Sequence, residues 1–295
     1  IPGDAQVIDI SGTYVLPGLI DGFAALDNQA FANAYLYMGV TSIIGVYDGR
    51  RHPLIENANP SPSLIPIGAV GEVPVETNQL LDDLEKLANL GMRVVLLMYG
   101  LTPEQLKIAV RRAHELGLAT VGELGATSYG DALEAGVDVF VHSTRYALDL
   151  APAEMRKAVA ANPFGPPARL YSQWLTRTPM NGLGLERYAK MIGQSRVALL
   201  PTLSLYGIDL PENTNPWQFA IARIINPKDI HLPVDPATGK HAWPAPRGAE
   251  EIEQARRVLD IEREYVRAGA KYLAGSGTDV FGTLPGISLH QELFF

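Results

Sequence analysis

Few side chains in this sequence are equipped for chemistry. There is no cysteine and there are six histidines, so disulfides, thiolate metal sites and cysteine nucleophiles drop out together. His142 closes an apolar run at 137–142, and Asp279 follows the run at 271–275. An imidazole oriented by a carboxylate makes an acid–base pair that moves a proton without a metal. The competing reading is that both side chains only hydrogen-bond neighbouring backbone or each other. Ser143, Thr144, Ser276 and Thr278 supply nearby hydroxyls, but no nucleophile-elbow pattern accompanies them. Arg145 is a candidate to bind an anion, or an ordinary loop charge. His231 and His241 lie in a Pro- and Asn-rich stretch, where lone histidines more often face solvent. His52, His114 and His290 are set aside, His114 because it falls on the exposed side of a helix.

Something must bring residues 142 and 279 to one place. Eight short β-branched runs, at 19–23, 40–47, 64–70, 92–99, 119–124, 137–142, 197–205 and 271–275, alternate with helical stretches. That alternation is the signature of βαβ units and a parallel sheet, and eight strands are the number that closes a barrel. The helices have boundary signals. Thr102-Pro103-Glu104-Gln105 reads as a capped N-terminus. Leu106, Ala109, Ala113 and Leu116 then form an apolar face, and Gly117 stops the helix. The stretch 249–267 places Ile252, Ala255, Leu259 and Val266 on one side. Further helices are expected at 76–90, 128–135 and 185–192, and none is assigned at 48–62.

Two long insertions, 143–184 and 206–248, begin at the carboxyl ends of strands, the face on which barrel active sites are built. The second reads as a lid, with Trp217 and Trp243 as candidate substrate-binding residues. The alternative is an ordered loop that covers apolar surface or meets another subunit.

The 295 residues suit one α/β barrel, and a 47% hydrophobic, 19% charged composition can bury a large core. Mean hydropathy is near zero, and no apolar run approaches the length of a membrane span; a soluble protein is expected. With 24 basic against 32 acidic residues and no basic stripe, nucleic acid is excluded as a partner. A homo- or hetero-oligomer and a small-molecule ligand remain open, as does the choice between cytoplasm and periplasm.

Val7-Ile-Asp-Ile-Ser-Gly-Thr-Tyr-Val-Leu-Pro-Gly-Leu-Ile-Asp21 resembles the leading segment of the amidohydrolase superfamily, in its imidazolonepropionase- and prolidase-like branch. There the chain leaves a small β-sandwich and enters barrel strand one through such a sequence. Gly-Leu-Ala-Thr-Val121, Ala-Leu-Glu-Ala-Gly-Val-Asp-Val-Phe-Val-His142, Val-Ala-Leu-Leu-Pro-Thr-Leu203, and Gly277-Thr-Asp279 with Gly286-Ile-Ser-Leu-His-Gln-Glu292 agree in the same order. The resemblance implies a (β/α)8 TIM barrel of the metal-dependent hydrolase type. Residues 17–295 would form the barrel and residues 1–16 a remnant of the sandwich, with one strand around 5–10. The chain ends where that family begins its eighth barrel helix, and trimming is the expectation.

The family hydrolyses C–N or related bonds with one or two divalent metals such as zinc. The resemblance implies a His-x-His on strand one, a carboxylated Lys or Glu on strand four, a His each on strands five and six, and an Asp on strand eight. In this sequence those positions fall on Phe23 and Ala25, on or near Leu96, on Gly122, on His142 and on Asp279. Two ligands remain, and two do not enclose an ion. No cofactor is therefore expected, a single zinc-like ion being the alternative. Counting alternation from Gly122, Glu123 faces outward toward the helices. The leading expectation is a non-catalytic scaffold or subunit homologue. The alternatives are a hydrolase working without metal through His142 and Asp279, and one with an atypical metal site.

Overall fold

The computed structural model describes residues 2–47, 55, 57–207, 210–213, 216–230, 249–278, 280 and 282–295. Eight strands appear where the β-branched runs placed them: β1 (Leu19–Ala24), β2 (Val40–Tyr47), β3 (Ser63–Val70), β4 (Val94–Met98), β5 (Ala119–Glu123), β6 (Val139–Val141), β7 (Ala198–Leu200) and β8 (Lys271–Tyr272). They form one sheet in sequence order, every neighbouring pair parallel. The sheet curls like a TIM barrel without a closing ladder: β8 pairs with β7 and, among the described residues, forms no ladder with β1. Individual bonds bridge that edge, from Gly22 N to Ala274 O at 2.9 Å and from Gly277 N to Phe23 O at 2.8 Å.

Helices cover the outside. They are α1 (Gln29–Tyr37), α2 (Thr77–Asn89), α3 (Pro103–Glu115), α4 (Tyr129–Ala135), α5 (Ser143–Tyr146), α6 (Ala153–Ala161), α7 (Pro166–Arg177), α8 (Leu185–Gln194), α9 (Ser204–Gly207), α10 (Ala249–Arg267) and α11 (Ile287–Phe294). Helix α3 begins as its sequence demands. The Thr102 hydroxyl accepts from Gln105 N while Gln105 Oε1 accepts from Thr102 N, and Leu106, Ala109, Val110 and Ala113 are buried. Gly117, at φ +74°, turns the chain into β5.

The core lies in two layers. Phe23, Ile67, Val94, Leu96, Val121, Val141 and Leu200 fill the inside of the sheet. Larger clusters join its outer face to the helices. Side chains alternate along a strand, so the inner cluster fixes which parity points inward on each strand.

Three expectations change. Segment 143–184 is largely helical, holding α5, α6 and α7, and the Pro/Gly-rich stretch 162–167 is only the joint between α6 and α7. In α10 the buried face is Ala255, Val258, Ile261, Glu262 and Tyr265, with Val266 59% exposed. Residues 5–10 form no strand and lie exposed. Of segment 206–248, residues 231–248 are outside the described residues, so the lid is not described there. No helix among the described residues is long and apolar enough to cross a membrane.

Candidate functional site

Strands β5, β6 and β7 end side by side, through the pairs Val121–Val139 and Val141–Leu200. The chain leaves β6 and β7 in the same unusual way. His142 (φ +64°) and Thr202 (φ +52°) are the two described non-glycine residues with positive φ. A β-branched residue in that region is strained by roughly 1–3 kcal/mol, and such strain concentrates at functional sites. Backbone bonds hold the pair: His142 N donates to Leu200 O, and Ser143 N to Pro201 O.

The side chains then meet. His142 Nδ1 lies 2.8 Å from Thr202 Oγ1, and that hydroxyl donates its own proton to Pro201 O at 2.6 Å. A hydroxyl has one hydrogen, so Thr202 accepts from His142, whose Nδ1 is the protonated nitrogen. Nε2 is left with a lone pair. It faces Glu123, at 4.0 Å from Oε2. Burial lowers the pKa of His142, with Arg145 acting in the same direction and Glu123 opposing both, so the neutral ring predominates at pH 7.

Glu123 was expected to point outward, and it does not. Val121 belongs to the inner cluster, and Glu123 shares its parity. A Cβ on Gly122 would instead meet Val137 at 3.3 Å, in the outer cluster. The register expected from the resemblance is thus off by one at this strand end: Gly122 faces out, and Glu123, 8% exposed, takes the inward place. Its other oxygen lies 3.5 Å from Arg145 Nε. Arg145 also donates to Pro163 O at 3.3 Å and stacks over Phe164, 5.0 Å from the ring centre. It is held in an intramolecular network by Glu123, Pro163 and Phe164.

Phe23 and Leu96 both sit in the inner cluster, and the Phe23 ring stands edge-on to the His142 imidazole at 5.2 Å. Ala25 is buried. Trp217 packs with the cluster around α1 and residues 222–230. Asp279 and Trp243, with His52, His231 and His241, are outside the described residues. Among the described residues no three His, Asp or Glu side chains gather as metal ligands.

Two features were missed by sequence. Thr202 lies in the Val-Ala-Leu-Leu-Pro-Thr-Leu203 stretch, which assigned it no role, and its positive φ cannot be read from the residue types. Behind the site, Ser143 and Tyr146 both donate to Glu262 Oε1, and Tyr272 donates to its Oε2 at 2.7 Å. Burial raises the Glu262 pKa against these three bonds. This cluster ties α5 to α10 and fixes the backbone next to His142.

Similarity to known proteins bears on the fold. A solved bottromycin amidohydrolase superposes with a TM-score of 0.55 at 16% identity, over 94% of this chain and 62% of that one. The fold is amidohydrolase-like. At this identity the likeness shows the fold alone, and the chain spans less than two thirds of that protein's length. A truncated 3-deoxy-D-arabino-heptulosonate 7-phosphate synthase from Thermotoga maritima aligns over 70% of this chain and 88% of its own at 15% identity, with a TM-score of 0.25 that supports no argument. No protein-family profile matches the chain, and no curated protein does.

Proposed function

We propose that this amidohydrolase-like protein has lost its relatives' metal centre and acts as a non-catalytic subunit or scaffold. The supporting observation is Phe23, an aromatic ring in the inner core at the strand-one position where the resemblance expects an imidazole. Leu96 brings hydrocarbon to the strand-four position. An ion there would exchange water for apolar contact on two sides, which is strongly unfavourable. His142 and Glu123 alone do not enclose it. The donor set of the described residues does not fit the metal centre.

A second reading is favoured by the unprotonated Nε2 of His142 beside Glu123. That arrangement suits a metal-free hydrolase acting on C–N or related bonds, with His142 as the base. Asp279, the expected partner of His142, lies outside the described residues; Glu123 is the described carboxylate that faces Nε2, at 4.0 Å.

Elemental analysis of protein purified without added metal tests the first reading. Well under one divalent ion per chain is expected, and about one tightly held ion overturns it. Hydrolysis of simple amides by the same sample, abolished in both His142→Ala and Glu123→Gln, would favour the second.

A further inference from the structure

A cleft of about 850 Å³ opens between the loops that follow β3, β4 and β5 and the side of α6. His142, Glu123 and Arg145 do not line it. Phe164 is the shared wall: it carries the Arg145 guanidinium over its ring and meets Tyr99 edge-on, 5.9 Å between ring centres. With Leu148 and Ala160 these rings make much of the lining hydrocarbon. Arg156 enters from near the start of α6, a helix whose N-terminus has no side-chain cap. Its Nε is buried and has no hydrogen-bond partner among the described residues, which is costly for a charged donor. Its ion pair with Asp149 runs from Nη1 to Oδ1 across 3.6 Å, beyond hydrogen-bond length. Asp149 is held back by α4, accepting from Tyr129 N at 3.0 Å and Gly130 N at 2.8 Å. The Nε–Nη2 edge of Arg156 is a fork that matches the two oxygens of a carboxylate.

We propose that this cleft binds a small monocarboxylate with an aromatic body, its two oxygens on the Nε–Nη2 edge of Arg156 and its ring against Tyr99 and Phe164. The charges around the cleft decide against a richer anion. Lys157 adds a second cation on α6 but is paired with Glu154 at 3.1 Å. Glu72, Asp131 and Asp149 line the other walls. One negative charge on the ligand is balanced there, and a second is repelled. Binding turns the fork toward the cleft, which a side chain at 34% exposure can do. The site goes beyond the proposed function and does not rest on it, because none of residues 23, 25, 96, 122 and 142 lines the cleft.

Proton–nitrogen NMR of the arginine Nε–H groups in the full chain reads the site directly. Titration with phenylacetate should move one Nε signal, the one that Arg156→Gln removes, and the shift should saturate at millimolar concentration. By calorimetry, phenylacetate should bind about tenfold more weakly to Arg156→Gln. Arg156→Lys, which keeps the charge and loses the fork, should also bind it several-fold more weakly. Phenyl phosphate as its dianion and neutral 2-phenylethanol should each bind wild type about tenfold more weakly than phenylacetate does. Ala160→Leu narrows the cleft and leaves the guanidinium in place, so it should weaken phenylacetate too, and it keeps the test open if Arg156→Gln fails to fold. No saturable shift, phenyl phosphate or 2-phenylethanol binding as tightly as phenylacetate, or an affinity unchanged in Arg156→Gln or Ala160→Leu overturns the inference.

Discussion

Glu292, on α11, is a carboxylate in the wrong solvent. It is 7% exposed, accepts from Ser204 N at 2.8 Å, and burial pushes its pKa up to about 8, against the opposing pull of that bond, while the negative charges of Asp21 and Glu262 push it further up. A carboxyl whose folded pKa lies above its unfolded value of 4.5 binds its proton more tightly in the folded protein. Its penalty is therefore small at pH 5 and grows as pH rises toward 8. The linkage relation gives a cost of about 1 kcal/mol at pH 5 and about 4 kcal/mol at pH 8, so wild type loses about 3 kcal/mol from this one group. Glu292 also lines a cavity of about 700 Å³, and water entering it would lower that figure. Glu292→Gln keeps a carbonyl oxygen for Ser204 N and cannot ionise. Urea denaturation of both proteins at pH 5, 6.5 and 8 should show the variant gaining on wild type by about 3 kcal/mol across the range. A constant difference between the two, or a gain for wild type as pH rises, would refute the reasoning.

Other expectations follow from the same structure. Glu262→Ala leaves the Ser143, Tyr146 and Tyr272 hydroxyls without their shared acceptor and should cost about 3 kcal/mol, read as a lower urea midpoint. Thr102→Ala removes half of the α3 capping box and should cost about 1 kcal/mol in the same assay. The double variant Phe23→His with Ala25→His should still take up no zinc by elemental analysis, because Leu96 stays in place and Gly122 points out of the sheet. Tight uptake by that variant would show that the strand-four and strand-five positions were misassigned.

The strands were legible because β-branched residues cluster in short runs separated by capped helices, and all eight lie where those runs are. The insertion at 143–184 misled because Pro and Gly at 162–167 stand out to the eye. The good helix formers at 153–161 and 168–177 decide the backbone instead. In α10 the expected face was anchored on Val266, and the true face turns to bury Glu262, a charge whose partners come from α5 and β8. No periodicity argument finds a buried glutamate two of whose three partners lie 116 and 119 residues away. At the site, His142 was visible, but Glu123 was assigned by counting from Gly122. A one-residue error in the starting point reverses every side chain after it. Thr202 was hidden for a different reason: its role depends on a backbone angle that its residue type disfavours.

A curled sheet whose first and last strands share no ladder among the described residues has a built-in seam. Between β1 and the chain after β8 the described stitches are two main-chain bonds and the Ser276 amide, which donates to Asp21 Oδ1 at 2.8 Å. A side chain thus supplies part of what a ladder supplies elsewhere, and the other oxygen of Asp21 is buried with no partner. Such a margin is where thermal breathing should start, ahead of the doubly flanked centre of the sheet. Deuterium uptake should reach the Gly22, Ser276 and Gly277 amides before those of β4 and β5.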